Sequence, residues 1–100
     1  MKRYTLASAV EADLQAIWQH VAEDSIDSAD RLLERFYSEF QYLADNPGSG
    51  HKREDLTFLP LLFWTTGAYL IVYWTLNREL EVLAVVHGAR HIPEFLSMRL

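Results

Sequence analysis

The sequence contains no cysteine, which removes a disulfide framework, a thiolate zinc site and a cysteine nucleophile together. That composition fits a reducing cytosol. Basic residues are the scarcer charge, with 9 Lys and Arg against 14 Asp and Glu and a formal net charge of −5. Phosphate binding by bulk electrostatics is driven by Lys and Arg, so strong direct nucleic-acid binding is not expected. Internal repeats and low-complexity tracts are absent, as are a Gly-x-Ser-x-Gly elbow, a phosphate loop and a dinucleotide fingerprint. The opening stretch MKRYTLASAVEAD has no long apolar run and meets acids at Glu11 and Asp13, so it does not read as a signal peptide.

What is present suits one core. The chain has 100 residues, half of them apolar, which fits a single domain over residues 1–100 and excludes intrinsic disorder. No charged residue occurs in the 22 positions from Leu56 to Asn77, close to the ~20 that a membrane-spanning helix needs. Pro60 and Thr65-Thr66-Gly67 interrupt that run, and the flanking charges show no Lys/Arg asymmetry. Two strands and a turn explain it better, so no membrane span is expected.

The periodicity changes at Asp45-Asn46-Pro47-Gly48-Ser49-Gly50. Before it, Arg3–Ala7 reads as a strand with Tyr4 and Leu6 on one face. Ser8-Ala9-Val10-Glu11 has the form of a capping box. Val10, Leu14, Ile17, Trp18 and Val21 then mark one face of a helix. A polar turn with Ser25 and Asp27 as caps leads to a second helix carrying Ala29, Leu32, Leu33, Phe36, Phe40, Leu43 and Ala44, giving an αα-hairpin. After the break, Thr57–Trp64 reads as an edge strand because it contains Pro60, and Tyr69–Trp74 reads as a central strand. Leu80–His87 alternates, with Leu80, Val82, Ala84 and Val86 on one face. The short links predict an antiparallel meander. His91–Leu100 is a tail with a helical turn near Pro93. The predicted fold class is therefore α+β: a strand, a helical hairpin, three antiparallel strands and a short tail.

The hairpin covers only one face of such a sheet, while the strands are apolar on both. Either the tail folds back through Ile92, Phe95 and Leu96, or the bare face and the sheet edges receive a partner.

Chemistry-bearing residues are few. His87 and His91 lie four apart across a glycine with no convincing third ligand, so neither a metal nor another cofactor is expected. Glu11 and Asp13 fit the first turn of a helix, where acids favour the dipole. The remaining functional candidates are basic: Lys52, Arg53, Arg78 and Arg90. His87 and Arg90 are the catalytic candidates if the chain cuts RNA without a metal. Trp18, Trp64 and Trp74 read as core or interface anchors, since no basic stripe interleaves them.

Several stretches, taken in order, resemble the RelE/ParE toxin superfamily of bacterial toxin–antitoxin modules, and its ParE, or plasmid-stabilisation, branch in particular. They are Tyr4-x-Leu6, Ala12-Asp13-Leu14-x-x-Ile17, Leu43-Ala44-x-x-Pro47-x-x-Gly50, Tyr69-Leu70-Ile71-x-Tyr73 and Val86-His87-Gly88-Ala89-Arg90. The resemblance implies a cytoplasmic toxin that inhibits DNA gyrase by protein–protein contact. It also implies a ParD-like antitoxin that neutralises the toxin by helix-in-groove packing and strand addition. The residues assigned to the target are Arg53, His87 and Arg90; those assigned to the antitoxin are Leu33, Phe36, Phe40 and Phe63. Two alternatives accompany this reading: a RelE-like ribosome-dependent endonuclease of messenger RNA, and a fold that still binds antitoxin but is no longer toxic. The chain departs from the family pattern at Leu62, Ala84 and His91, where members often carry Arg, Arg and Asp.

Overall fold

A computed structural model describes residues 3–100; the basic start of the chain, Met1-Lys2, lies outside the described residues. The order is β1 (Tyr4–Leu6), α1 (Val10–Ala22), α2 (Ile26–Asp45), a 3₁₀ turn (Pro47–Ser49), β2 (Leu62–Thr66), β3 (Tyr69–Leu76), β4 (Glu79–His87) and α3 (Ile92–Arg99). The strands form one sheet in the order β1-β4-β3-β2, with β2, β3 and β4 an antiparallel meander and β1 parallel to β4. The α+β architecture is the one the periodicity predicts. No described helix is long and apolar enough to cross a membrane.

The helices pack where their apolar stripes direct them. Phe36, Phe40 and Leu43 of α2 join Val10 and Leu14 of α1 against Ile71, Tyr73, Leu80, Val82 and Val85 of the sheet. Ser25 caps α2, its hydroxyl accepting from the Ser28 amide at 3.1 Å. The expected capping box at α1 does not form. The chain turns directly out of β1, with the Val10 amide donating to Ala7 O at 3.0 Å. Ala9 is the N-cap and is already helical in backbone angle, which leaves Ser8 too far upstream to cap.

The motif that ends α2 has a physical basis that periodicity alone did not reveal. The Tyr73 hydroxyl donates to Pro47 O at 2.8 Å and accepts from the Gly50 amide at 2.8 Å. A Cβ on residue 50 would lie 2.5 Å from that hydroxyl, so any larger residue has to displace the Tyr73 ring. Leu43-Ala44-x-x-Pro47-x-x-Gly50 is thus a helix stop fastened to the centre of the sheet.

Two sequence expectations change in the sheet half, and one left open is settled. The edge strand begins at Leu62, and Pro60 lies outside it in the preceding loop. The alternation in β4 breaks, because Val72 pairs with Ala84 and Tyr73 with Val82, leaving Leu83 as an extra residue. Such a bulge moves side chains to the opposite face. Leu80 and Val82 face the helical hairpin, while Leu83, Ala84 and Val86 face the other side. That other side is not bare. The tail forms α3, and Ile92, Phe95 and Leu96 pack there on Leu61, Phe63, Leu70 and Val72.

Candidate functional site

The end of β4 and the far half of α1 enclose a concavity of about 360 Å³. Asp13, Ala16, Ile17 and His20 enter it from α1 at the i, i+3, i+4, i+7 spacing of one helix face; Tyr69, Val85, His87 and Arg90 enter from the sheet and the turn after it. His20 and Tyr69 were not singled out in the sequence. His20 sits in a polar stretch before the helical turn, and Tyr69 reads as one more strand aromatic.

Local bonding fixes the orientation of His87. Its Nδ1 accepts from the Ala89 amide at 3.0 Å, and its ring meets Tyr69 edge-on at 5.3 Å between centroids. With Nδ1 accepting, the neutral imidazole carries its hydrogen on Nε2. While that bond holds, neither ring nitrogen has a free lone pair to act as a base. The Arg90 guanidinium lies 4.8 Å from the Phe95 ring centroid, and so does that of Arg99, so one α3 aromatic carries two cations.

Asp13 does more than complement a helix dipole. Its carboxylate holds the Arg99 guanidinium through contacts of 2.9 and 2.6 Å and accepts from the Val85 amide at 3.1 Å, while Arg99 also donates to Leu83 O at 3.1 Å. The charged hydrogen bond to Asp13 strengthens the hold of Arg99 on its proton. β1 leaves β4 after Leu6, and these two side chains satisfy the backbone groups of the bulged strand beyond that point.

Arg53, grouped with His87 and Arg90 from sequence, lies elsewhere. It lines a separate hollow in the loop before β2 and is bound to Asp55 by contacts of 2.9 and 2.8 Å. That pairing raises the Arg53 pKa and lowers the Asp55 carboxyl below its usual range.

The four residues assigned to a protein partner separate by burial. Phe36, Phe40 and Phe63 are at most 3% exposed and belong to the two cores. Leu33 is partly exposed. With Trp18 and Tyr37 it lines a groove of about 710 Å³ between α1 and α2, near Glu11 and Gln15. Among the described residues, no group of three or more His, Asp or Glu side chains is placed to hold a metal ion.

The short parallel edge strand, the helical hairpin on an antiparallel meander and the His-Gly-x-Arg turn at the end of the last strand are the arrangement that the resemblance to small toxins of bacterial toxin–antitoxin modules implies. Residues 4–92 match the family described as the ParE toxin of the type II toxin–antitoxin system parDE, and the chain belongs to that family. Among solved structures, it is similar to a chain of the chromosomal ParDE toxin–antitoxin system from P. aeruginosa. The TM-score is 0.73 at 18% identity, over 87% of this chain and 96% of that one. Curated protein sequences give no match.

Proposed function

We propose that the chain arrests bacterial growth by binding and inhibiting DNA gyrase, and that a ParD-like antitoxin holds it inactive. One observation carries the choice of a protein target over RNA: the groups a phosphate-cutting site needs are already engaged. Arg99 is held by Asp13, Arg53 by Asp55, Arg90 lies on Phe95, and His87 Nδ1 is taken by the Ala89 amide. Recruiting Arg53 or Arg99 to a phosphate would compete with their carboxylate partners, and using His87 Nδ1 as a base would break its bond to the Ala89 amide.

The antitoxin reading rests on the groove lined by Trp18, Leu33 and Tyr37. Residues 1–50 carry nine acids and four bases, whereas residues 51–100 carry five of each. A basic amphipathic helix matches both the apolar groove floor and this acidic surround. β1 lies at an edge of the sheet, where strand addition would extend the contact.

Inducing the chain in bacteria tests the reading. The expected result is loss of colony formation with plasmid DNA shifting toward the relaxed state, both reversed by co-expression of a cognate ParD-like antitoxin. Arrest with unchanged plasmid topology removes gyrase, and normal colonies indicate a fold that only binds its partner. A second reading, ribosome-dependent RNA cleavage, draws on the meeting of His20, His87 and Arg90 in one concavity. It requires mapped cuts in translated message that His87→Ala abolishes.

A further inference from the structure

The loop from His51 to Leu61 carries an apolar tip that the molecule's own packing does not use. Phe58 is 98% exposed and Leu59 50% exposed. This loop is braced by its own backbone and side-chain bonds. Its neck is closed by two backbone bonds between His51 and Phe63, at 2.9 and 2.8 Å, and Leu61 is buried at its exit. Inside, the Leu56 and Thr57 amides donate to Arg53 O at 2.9 and 3.1 Å, and the Leu59 amide donates to Thr57 Oγ1 at 3.1 Å. Arg53 grips Asp55 across the same turn. Compact loops with adjoining ends are often functional, and internal bonds of this kind reduce the entropy that the tip loses on binding.

We infer that Phe58 is the anchor by which this toxin seats on its protein target. The ring enters an apolar pocket of the target, and the hollow of about 310 Å³ beside it, lined by Lys52, Glu54 and Pro60, receives a side chain in return. The inference rests on the protein-directed reading above and deepens it by naming the contact. Local charge favours a protein over the other occupants. Arg53 and Asp55 neutralise each other, and Lys52 and Glu54 balance, so the rim carries no net positive charge to attract phosphate or anionic lipid. A polar rim around one aromatic side chain is the usual anatomy of an interface hot spot. A second copy fits poorly. Aromatic side chains bury roughly 150–250 Å² each, so two tips meeting fall well short of the roughly 1,200 Å² of a stable interface.

The test compares the wild-type chain with Phe58→Ala and Phe58→Trp. Because Phe58 contributes no core contact, all three should share one thermal unfolding midpoint. Phe58→Ala should bind immobilised purified gyrase about 30-fold more weakly and restore colony formation on induction, while Phe58→Trp stays toxic. If Phe58→Ala relieves arrest although the wild-type chain leaves gyrase untouched, the anchor stands and the gyrase assignment falls. If Phe58→Ala inhibits gyrase as well as wild type, the anchor is overturned and the gyrase assignment stands. A wild-type chain that neither arrests growth nor touches gyrase removes both. Phe58-dependent sedimentation with phosphatidylserine vesicles, or a Phe58-dependent dimer in sedimentation equilibrium, overturns the inference in favour of a lipid surface or a second copy.

Discussion

Asp13 and Arg99, 86 positions apart in the chain, form a bidentate pair that ties the first helix to the last turn of α3 across the bulged edge of β4. Their side chains are 12% and 19% exposed, so solvent screens the pair little. The same two residues bond the Val85 amide and Leu83 carbonyl. The pair therefore holds α3 over the apolar face that it covers.

Removing one partner should cost more than removing both. Asp13→Ala strands a partly buried guanidinium and leaves the Val85 amide without its acceptor, a loss of about 2–4 kcal/mol. Arg99→Lys should restore little, because a single ammonium does not reproduce the two-point contact. Urea unfolding of the single and double variants measures the coupling. Strictly additive losses would show that the pair does not act as a unit.

The Tyr73 fastening of the helix stop makes a second prediction. Tyr73→Phe removes two hydrogen bonds and leaves the Gly50 amide unsatisfied, costing about 1–2 kcal/mol. Gly50→Ala presses a methyl group against the same hydroxyl and should cost about 1–3 kcal/mol. In the double variant the methyl no longer meets the hydroxyl but still lies 2.8 and 2.9 Å from the ring carbons Cε1 and Cζ, so its loss should be only somewhat smaller than the sum of the two. A double variant at or beyond the sum counts against the geometry.

Burial pushes the Tyr73 hydroxyl above the ordinary tyrosine value of about 10, with the Gly50 amide opposing in part. A raised folded-state value contributes stability that is fully present below about pH 10 and is lost as pH rises through the shifted value. Tyr4 moves in the same direction through burial and the nearby Tyr37. Thermal midpoints followed upward from about pH 9 should fall more steeply in wild type than in Tyr73→Phe. Parallel curves would contradict the assignment.

The β3–β4 turn stores strain at an unusual residue. Asn77 and Arg78 have φ of 52° and 66°, the double left-handed form of a tight hairpin turn, which favours glycine at the second position. Arg78→Gly should raise stability by about 0.5–1 kcal/mol. An unchanged or lowered denaturation midpoint would show that the Arg78 side chain makes a compensating contact.

The antitoxin groove can be separated from the core by measurement. Trp18→Ala, Leu33→Ala and Tyr37→Ala should each weaken the antitoxin complex by about 1–2 kcal/mol in calorimetry. Phe36→Ala and Phe40→Ala should instead lower the unfolding free energy by about 3–5 kcal/mol. Full antitoxin affinity in all three groove variants would move the docking site elsewhere.

The elements were legible in the sequence because helical spacing and apolar runs are local signals, and the tail's apolar residues made it one of two candidates, with a partner, for covering the second sheet face. The phase change in β4 was not legible, because Val82 to Val86 is apolar throughout and an extra residue leaves no mark in such a run. Asp13 carried a sufficient local explanation, so nothing pointed to a partner at the far end of the chain. The antitoxin candidates were chosen for size and apolarity, the same properties that place Phe36, Phe40 and Phe63 in the cores. Phe58 was hidden for the opposite reason: it lies in an uncharged run that reads as strand, and only the loop geometry turns it outward.

The most direct test of the central claim is a supercoiling assay with purified gyrase and increasing amounts of the purified chain. The account predicts that supercoiling falls as the chain is added and returns when antitoxin is supplied. Full supercoiling at a large molar excess of the chain would contradict it.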